Sequence, residues 1–339
     1  MTPAVELRDV VKRFGDFTAV DHISLDVAHG EIFGFLGPNG AGKSTTIRML
    51  CGLLRPTSGR GFVNGLDMAT QAEVIKTNLG YMSQKFSLYD DLKVEENMRL
   101  FGGIYGLDTP FLKRRIEEVM TLISLKDRRQ SITKELPTGL KQRLALGCAL
   151  LHEPPMVFLD EPTSGVDPAT RRAFWDLIYR LAEEGVTIFV TTHYMEEAEY
   201  CNRIGLIDKG RLIALGSPGE LKVRHLAGTV YELMVSDVLA AVEALSGNQG
   251  VLDAAIFGRS IHVRLRKDAE ADRAIRHVLT SAGIEMREIK AIEPTLEDVF
   301  VALVGKKETA EAPTGRTGHQ DMQQIVRANR NALVEHNEI

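Results

Sequence analysis

Gly37-Pro38-Asn39-Gly40-Ala41-Gly42-Lys43-Ser44-Thr45 fits the pattern GxxxxGK[ST], and the sequence around it decides how it is read. Just upstream stands Ile32-Phe33-Gly34-Phe35-Leu36, apolar on both faces as a central strand of a covered sheet must be; downstream, Thr46 to Leu54 reads as a helix. A glycine-rich turn between strand and helix lets main-chain N–H groups point inward around phosphate oxygens. Lys43 adds a point charge toward the β- and γ-phosphates, the Ser44 hydroxyl can ligate Mg²⁺, and the helix N-terminus favours anions. The bland alternative, a plain glycine-rich turn, does not explain both flanking elements. An α/β core holding a nucleotide follows.

Further along, Met156-Val157-Phe158-Leu159 ends in Asp160-Glu161, an apolar strand closing on adjacent carboxylates. Asp160 is suited to accept from the Mg²⁺ water shell, while Glu161, on the other side of the strand, is suited to polarise an attacking water as general base. His193 follows a second apolar strand, Thr187 to Thr192, where it can donate to a γ-phosphate; taken alone, a histidine there is more often a surface residue. Gln84, in Tyr81-Met82-Ser83-Gln84, can touch Mg²⁺ or the water, although a lone loop glutamine is more often solvated.

Val5 to Val11 and Thr18 to Val27 read as short strands, and Leu88 to about Leu151 as a mostly helical insertion, for example Phe111 to Leu125. Beyond Leu226 the order changes. A strand (Thr229 to Val235), a helix (Asp237 to Leu245), two strands (Val251 to Phe257, Ser260 to Leu265), a helix (Asp268 to Ala282) and a strand (Ile284 to Ile292) spell βαββαβ, a ferredoxin-like order. Thr295 and Asp298 can cap a last helix through Val299-Phe300-Val301. From Lys306 onward Pro, Gly, Thr and charged residues dominate, which predicts a disordered tail or a partner-dependent helix.

With 339 residues, 44% hydrophobic, the chain has room for a large domain and a smaller one. Its formal net charge of -5 supplies no basic field for nucleic acid. Cys51, Cys148 and Cys201 stand far apart without a CxxC pair, as reduced buried thiols do. No uninterrupted apolar window of about 18 residues occurs and the N-terminus lacks a secretory pattern, so any membrane role is expected to come through a partner.

The order of the phosphate loop, Gln84, Leu136-Pro137-Thr138-Gly139-Leu140-Lys141-Gln142-Arg143, Asp160-Glu161, Ser164-Gly165-Val166-Asp167 and His193 resembles the nucleotide-binding subunits of ABC transporters over about residues 4 to 225. The resemblance implies a P-loop NTPase core with an antiparallel β subdomain and a helical arm, plus a small α+β C-terminal domain. The expected boundaries are 1–225 for the ATPase domain with its arm at about 86–151, 226–305 for the second domain, and 306–339 for the tail. It implies that Gly37, Pro38, Asn39, Gly40, Ala41, Gly42, Lys43, Ser44 and Thr45 bind ATP, and that Ser44, Gln84 and Asp160 serve Mg²⁺. Glu161, His193 and Gln84 are the implied catalytic residues. Phe14, in Lys12-Arg13-Phe14-Gly15, matches the aromatic that stacks on adenine; without the resemblance it reads as a half-buried strand residue. Thr138 and Gly139 match the signature that reaches the ATP of a second subunit, and Asp167 the loop that crosses to it.

Glu31-Ile32-Phe33-Gly34 and Glu293-Pro294-Thr295-Leu296-Glu297-Asp298-Val299-Phe300 narrow the resemblance to the drug-exporter type, similar to daunorubicin-resistance and multidrug ATPases. The implied function is ATP hydrolysis that powers export of a drug, lipid or polysaccharide-like substrate. The implied partners are a second copy or a homologous ATPase subunit and separate integral membrane permease subunits, at the cytoplasmic face of the inner membrane, with no nucleic acid. The arm near Phe86 to Glu96 is expected to grip a permease helix. One departure stands out: where the family signature reads Leu-Ser-Gly-Gly, this chain has Leu136, Pro137, Thr138 and Gly139. Pro137 brings neither hydroxyl nor N–H, so weaker closure of the pair is expected. A soluble ABC ATPase acting on ribosomes or DNA, a non-hydrolysing nucleotide sensor and an importer subunit are the competing readings; the single phosphate loop, Glu161 with His193, and Glu293 to Phe300 argue against them in turn.

Overall fold

Apolar and polar residues alternate along Phe17–Val27, and the computed structural model, described for residues 2–85, 87–246, 248, 250–266 and 271–311, turns that pattern into a sheet with one buried face. In chain order the elements are β1 (Val5–Phe14), β2 (Phe17–Val27), β3 (Ile32–Leu36), α1 (Lys43–Leu50), β4 (Ser58–Val63), β5 (Leu66–Asp67), α2 (Ala72–Thr77) and β6 (Gly80–Met82). The arm follows as α3 (Val94–Ile104), α4 (Thr109–Leu122) and α5 (Thr138–Leu150). Then come β7 (Met156–Asp160), α6 (Pro168–Glu183), β8 (Thr187–Thr192), α7 (Met195–Ala198), β9 (Arg203–Asp208), β10 (Arg211–Gly216) and α8 (Pro218–His225). The chain divides into two compact units at 221/222, within α8.

In the first unit β2, β1, β4 and β5 form an antiparallel sheet, and β10, β9, β3, β8, β7 and β6 a second one, parallel except at β10. Every residue of β3, β7 and β8 is buried, as continuous apolar strands require. Phe189 on β8 meets Phe33, Phe35 and Phe158 at ring centroids of 5.2, 5.7 and 5.5 Å, and these rings lie fully out of water. The same core takes in Leu7, Val10 and Ile23 of the antiparallel sheet and Ile47, Met49 and Leu50 of α1, which fixes the phosphate loop's helix against both sheets. Because β3, β6, β7 and β8 run parallel, their carboxyl ends share one edge; Gly37, Gln84, Asp160 and His193 all lie at or just beyond those ends.

Several bounds differ from the sequence reading. The helix after the phosphate loop starts at Lys43 and ends at Leu50, because Gly42, left-handed at φ 106°, turns the chain into the helix before Thr46. The helix expected at Phe111 to Leu125 runs Thr109–Leu122: the Asp108 carboxylate accepts from Phe111 N at 2.9 Å and Pro110 sits in the first turn.

The second unit contains β11 (Thr229–Val235), α9 (Val238–Leu245), β12 (Val251–Phe257), β13 (Ser260–Leu265), α10 (Ala271–Ser281), β14 (Met286–Ile292) and α11 (Leu296–Glu311). Its four strands pair antiparallel in the order β12-β13-β11-β14, the split βαββαβ arrangement. Leu233, Ile261, Val263 and Leu265 pack with Leu245 and Leu279 of the helices. On the alternate positions of β13, His262 and Arg264 are buried and paired, His262 Nδ1 with Asp298 Oδ1 at 2.8 Å and Arg264 Nε with Asp253 Oδ2 at 2.8 Å. The last helix continues to Glu311, past the position where the sequence reading placed the start of the tail; residues 312–339 lie outside the described residues.

Candidate functional site

The phosphate loop closes on itself through Lys43. Its ammonium donates to Gly37 O at 2.7 Å and Pro38 O at 3.1 Å, and lies 3.4 Å from Glu161 Oε1 with the side chain 4% exposed. Burial pushes the Lys43 pKa down, against the pull of Glu161. Two of the loop's glycines have no room for larger residues: a Cβ on Gly37 would stand 2.1 Å from Ile207 O, and one on Gly42 2.4 Å from Ala19 O.

Glu161 is the centre of the site. It follows the last residue of β7 with φ 50°, a left-handed conformation unusual for a glutamate, and its N–H bonds Thr191 O and Thr191 Oγ1, both at 3.1 Å. That twist delivers its carboxylate to three residues that the sequence had marked for the phosphates, Mg²⁺ or the water. Gln84 Nε2 donates to Oε2 at 2.9 Å, His193 Nδ1 lies 3.3 Å from the same oxygen without aligning as a hydrogen bond, and Lys43 faces Oε1. The His193 ring, then the Lys43 charge, hold the Glu161 carboxyl below its ordinary value despite burial.

Asp160 stands beside it with a different environment. Its Oδ1 accepts from Ser44 Oγ at 3.0 Å and Thr191 Oγ1 at 2.7 Å, while burial pushes its pKa up. An oxygen-only group of one carboxylate and a hydroxyl is what a hard divalent cation prefers, so these residues fit Mg²⁺. Among the described residues no group of three or more His, Cys, Asp or Glu side chains is placed to hold a metal ion.

Residues 20–164 match the ABC transporter family, and residues 216–304 match the family described as ATP-binding protein DrrA1-3-like, C-terminal domain. The chain is similar to the linearmycin resistance ATP-binding protein LnrL of Bacillus subtilis (strain 168), 34% identical over 310 residues that cover 89% of this chain and 98% of that protein. It belongs to the ABC transporter ATP-binding proteins. Over 220 residues it is also 54% identical to the probable multidrug ABC transporter ATP-binding protein YbhF of Escherichia coli (strain K12); the match takes in 65% of this chain and spans only 38% of that relative's length. Among solved structures, an ATP-binding cassette captured as a dimer in a post-hydrolysis state with ADP and Pi aligns with a TM-score of 0.58 and 26% identity, over 63% of this chain and 98% of that one.

In this ABC ATP-binding protein the remaining expected residues stand outside the Glu161 cluster. Phe14 ends β1 at a hairpin tip, paired with Phe17 and 50% exposed, so it is more open than a half-buried strand residue. Thr138 and Gly139 open α5, with Pro137 as an N-cap that offers no side-chain hydrogen bond. Gly139 packs closely on α6: a Cβ there would lie 2.3 Å from Thr170 Cγ2, and that side chain would have to shift. Asp167 caps α6, accepting from Thr170 N at 3.0 Å and Thr170 Oγ1 at 2.6 Å. Phe86 lies outside the described residues. No described helix is long and apolar enough to cross a membrane.

Thr191 was not singled out from the sequence, yet it holds both acidic neighbours: its hydroxyl donates to Asp160 and accepts from Glu161 N. The parallel register sets Asp160 opposite Thr191. The available signal was a polar pair, Thr191-Thr192, closing an otherwise apolar strand.

Proposed function

We propose that the chain hydrolyses MgATP as one member of a pair and that this drives export through separate membrane subunits. The observation that carries the reading is the convergence of Lys43, Gln84 and His193 on the Glu161 carboxylate. A carboxylate held ionised beside the phosphate loop is equipped to take a proton from water. Gln84 and His193 orient it, and the Lys43 ammonium exchanges its loop carbonyls for phosphate oxygens when nucleotide enters. Ser44 and Asp160 would hold Mg²⁺, which supplies charge neutralisation on the phosphates. Phe14, exposed at its hairpin tip, offers a ring face to adenine.

The pair is supported by what each chain leaves unfinished. Thr138, Gly139 and Asp167 stand at exposed helix starts away from their own phosphate loop's cluster, as groups meant for a twin's nucleotide do. The cassette solved with ADP and Pi is itself a dimer. Export, rather than uptake, is favoured by the C-terminal domain match and by the multidrug and resistance names of the relatives. With no membrane-crossing helix among the described residues, permease subunits would be separate chains and this one would lie on the cytoplasmic face of the membrane, peripheral through them. The arm, where the Glu96 carboxylate accepts from Lys93 N at 2.9 Å at the start of α3, is the surface proposed to receive a permease helix.

Phosphate release from MgATP tests the hydrolase reading. Glu161→Gln keeps the shape and hydrogen-bonding reach of the side chain and removes its basicity, so kcat should fall by about 10²- to 10⁴-fold. A variant that keeps the wild-type rate excludes Glu161 as the base.

A further inference from the structure

Glu197 on α7 has no solvent exposure and takes no part in the chemistry above. Its Oε1 accepts a hydrogen bond from the Thr163 hydroxyl and lies 3.4 Å from Arg171 Nε, while Oε2 has no hydrogen-bond partner among the described residues. Taking a carboxylate wholly out of water is strongly unfavourable unless good pairing offsets it. An apolar residue would fill the same space at less cost, so the placement of the partners becomes informative.

Each partner belongs to a different part of the site. Thr163, 1% exposed, stands in the turn that begins at Glu161, where Ser164 N bonds Glu161 O at 3.2 Å. Arg171 lies one turn into α6, its N–H bonded to Asp167 O at 3.0 Å. Its guanidinium lies 4.2 Å from the centroid of the Tyr194 ring, and that ring is 4.1 Å from the ring of His193. Glu197 itself is tied back to the histidine's turn, its N–H bonding Tyr194 O at 3.1 Å. One buried carboxylate and one guanidinium therefore join the turn after Glu161, the turn bearing His193 and the helix that starts at Asp167.

We propose that Glu197 is a positioning residue that sets His193 against Glu161 through Thr163, and that Arg171 extends the same hold to the helix beginning at Asp167. The proposal rests on the hydrolase reading above. The His193 to Glu161 approach is 3.3 Å, a separation at which a shift of about 1 Å moves the ring out of useful contact and can cost as much as about 100-fold in rate. Purely structural filling by Glu197 predicts lower stability without a selective loss of turnover.

The test is phosphate release by the full chain with magnesium and ATP, comparing Thr163→Val, Thr163→Ser, Glu197→Gln and Arg171→Lys, each alone and with His193→Ala. Thr163→Val and Glu197→Gln should lower kcat by about tenfold or more while KM for ATP stays within about twofold, and Thr163→Ser should return the rate to near wild type. With His193→Ala present, the same changes should cost less than about twofold, since the residue they act through is gone. Arg171 reaches solvent, so Arg171→Lys keeps the question open to measurement even where a Glu197 variant folds poorly; it should show the same loss in kcat and the same lack of effect beside His193→Ala. Losses that multiply fully with His193→Ala, or a raised KM with kcat intact, overturn the proposal. A wild-type chain without hydrolysis, or full hydrolysis by Glu161→Gln, overturns the hydrolase reading and this inference together. Wild-type hydrolysis that Glu161→Gln abolishes, alongside multiplying losses, overturns this inference alone.

Discussion

Restoring the family signature should make the protein work at lower ATP. Pro137 caps α5 with φ -54° and ψ 150°, an extended conformation that serine adopts readily, and its carbonyl already accepts from Leu140 N at 2.9 Å and Lys141 N at 3.1 Å. Pro137→Ser keeps those bonds and adds a hydroxyl and an N–H at an exposed helix start. Each charge-assisted hydrogen bond to a phosphate oxygen contributes about 1.5–3 kcal/mol when well made. Placing Gly at Thr138 gives back up to about 1 kcal/mol of helix propensity, and solvent at this exposed site weakens the new contacts. A net gain of about 1.4 kcal/mol remains, which is roughly tenfold in the ATP concentration giving half-maximal rate. Phosphate release against ATP concentration measures it for the Pro137→Ser, Thr138→Gly double variant. An unchanged or reduced rate at low ATP refutes the reasoning that Pro137 weakens closure.

Gly37→Ala places a methyl 2.1 Å from Ile207 O, a main-chain atom that cannot swing aside, so titration with a fluorescent ATP analogue should show affinity reduced by about tenfold or more. In the second unit, burial pushes the Asp298 carboxyl up, but its bonds from His262 and Thr295 outweigh this and hold it below its ordinary value. A depressed native pKa gives stability that is present above the unfolded value of about 3.9 and is lost as pH falls through the native one. Asp298→Asn should therefore lower the thermal midpoint near pH 7, and the gap from wild type should close in strongly acidic buffer.

What could be read from sequence was local in the chain. The phosphate loop, Asp160-Glu161 and His193 each announce themselves through one strand and the residues that end it. The second unit's strands were legible for the same reason, since Val251–Phe257 and Ser260–Leu265 are punctuated by turn residues. Contacts made by distant segments were not. Thr191 reaches Asp160 only because β7 and β8 pair in one register, and Glu197 meets Thr163 across 34 positions. The left-handed twist at Glu161 was also hidden, because glutamate carries no signature for it as glycine does. Asp167 shows a different limit: inside one chain it is a helix cap, and any second duty depends on a surface that one chain does not contain.

The proposed ATP pocket is begun by one chain and completed by its twin. Molar mass of the Glu161→Gln chain, measured by light scattering with magnesium and with or without ATP, tests it most directly. A doubled mass is expected with ATP and a single-chain mass without nucleotide. A single-chain mass at ATP concentrations that saturate binding contradicts it.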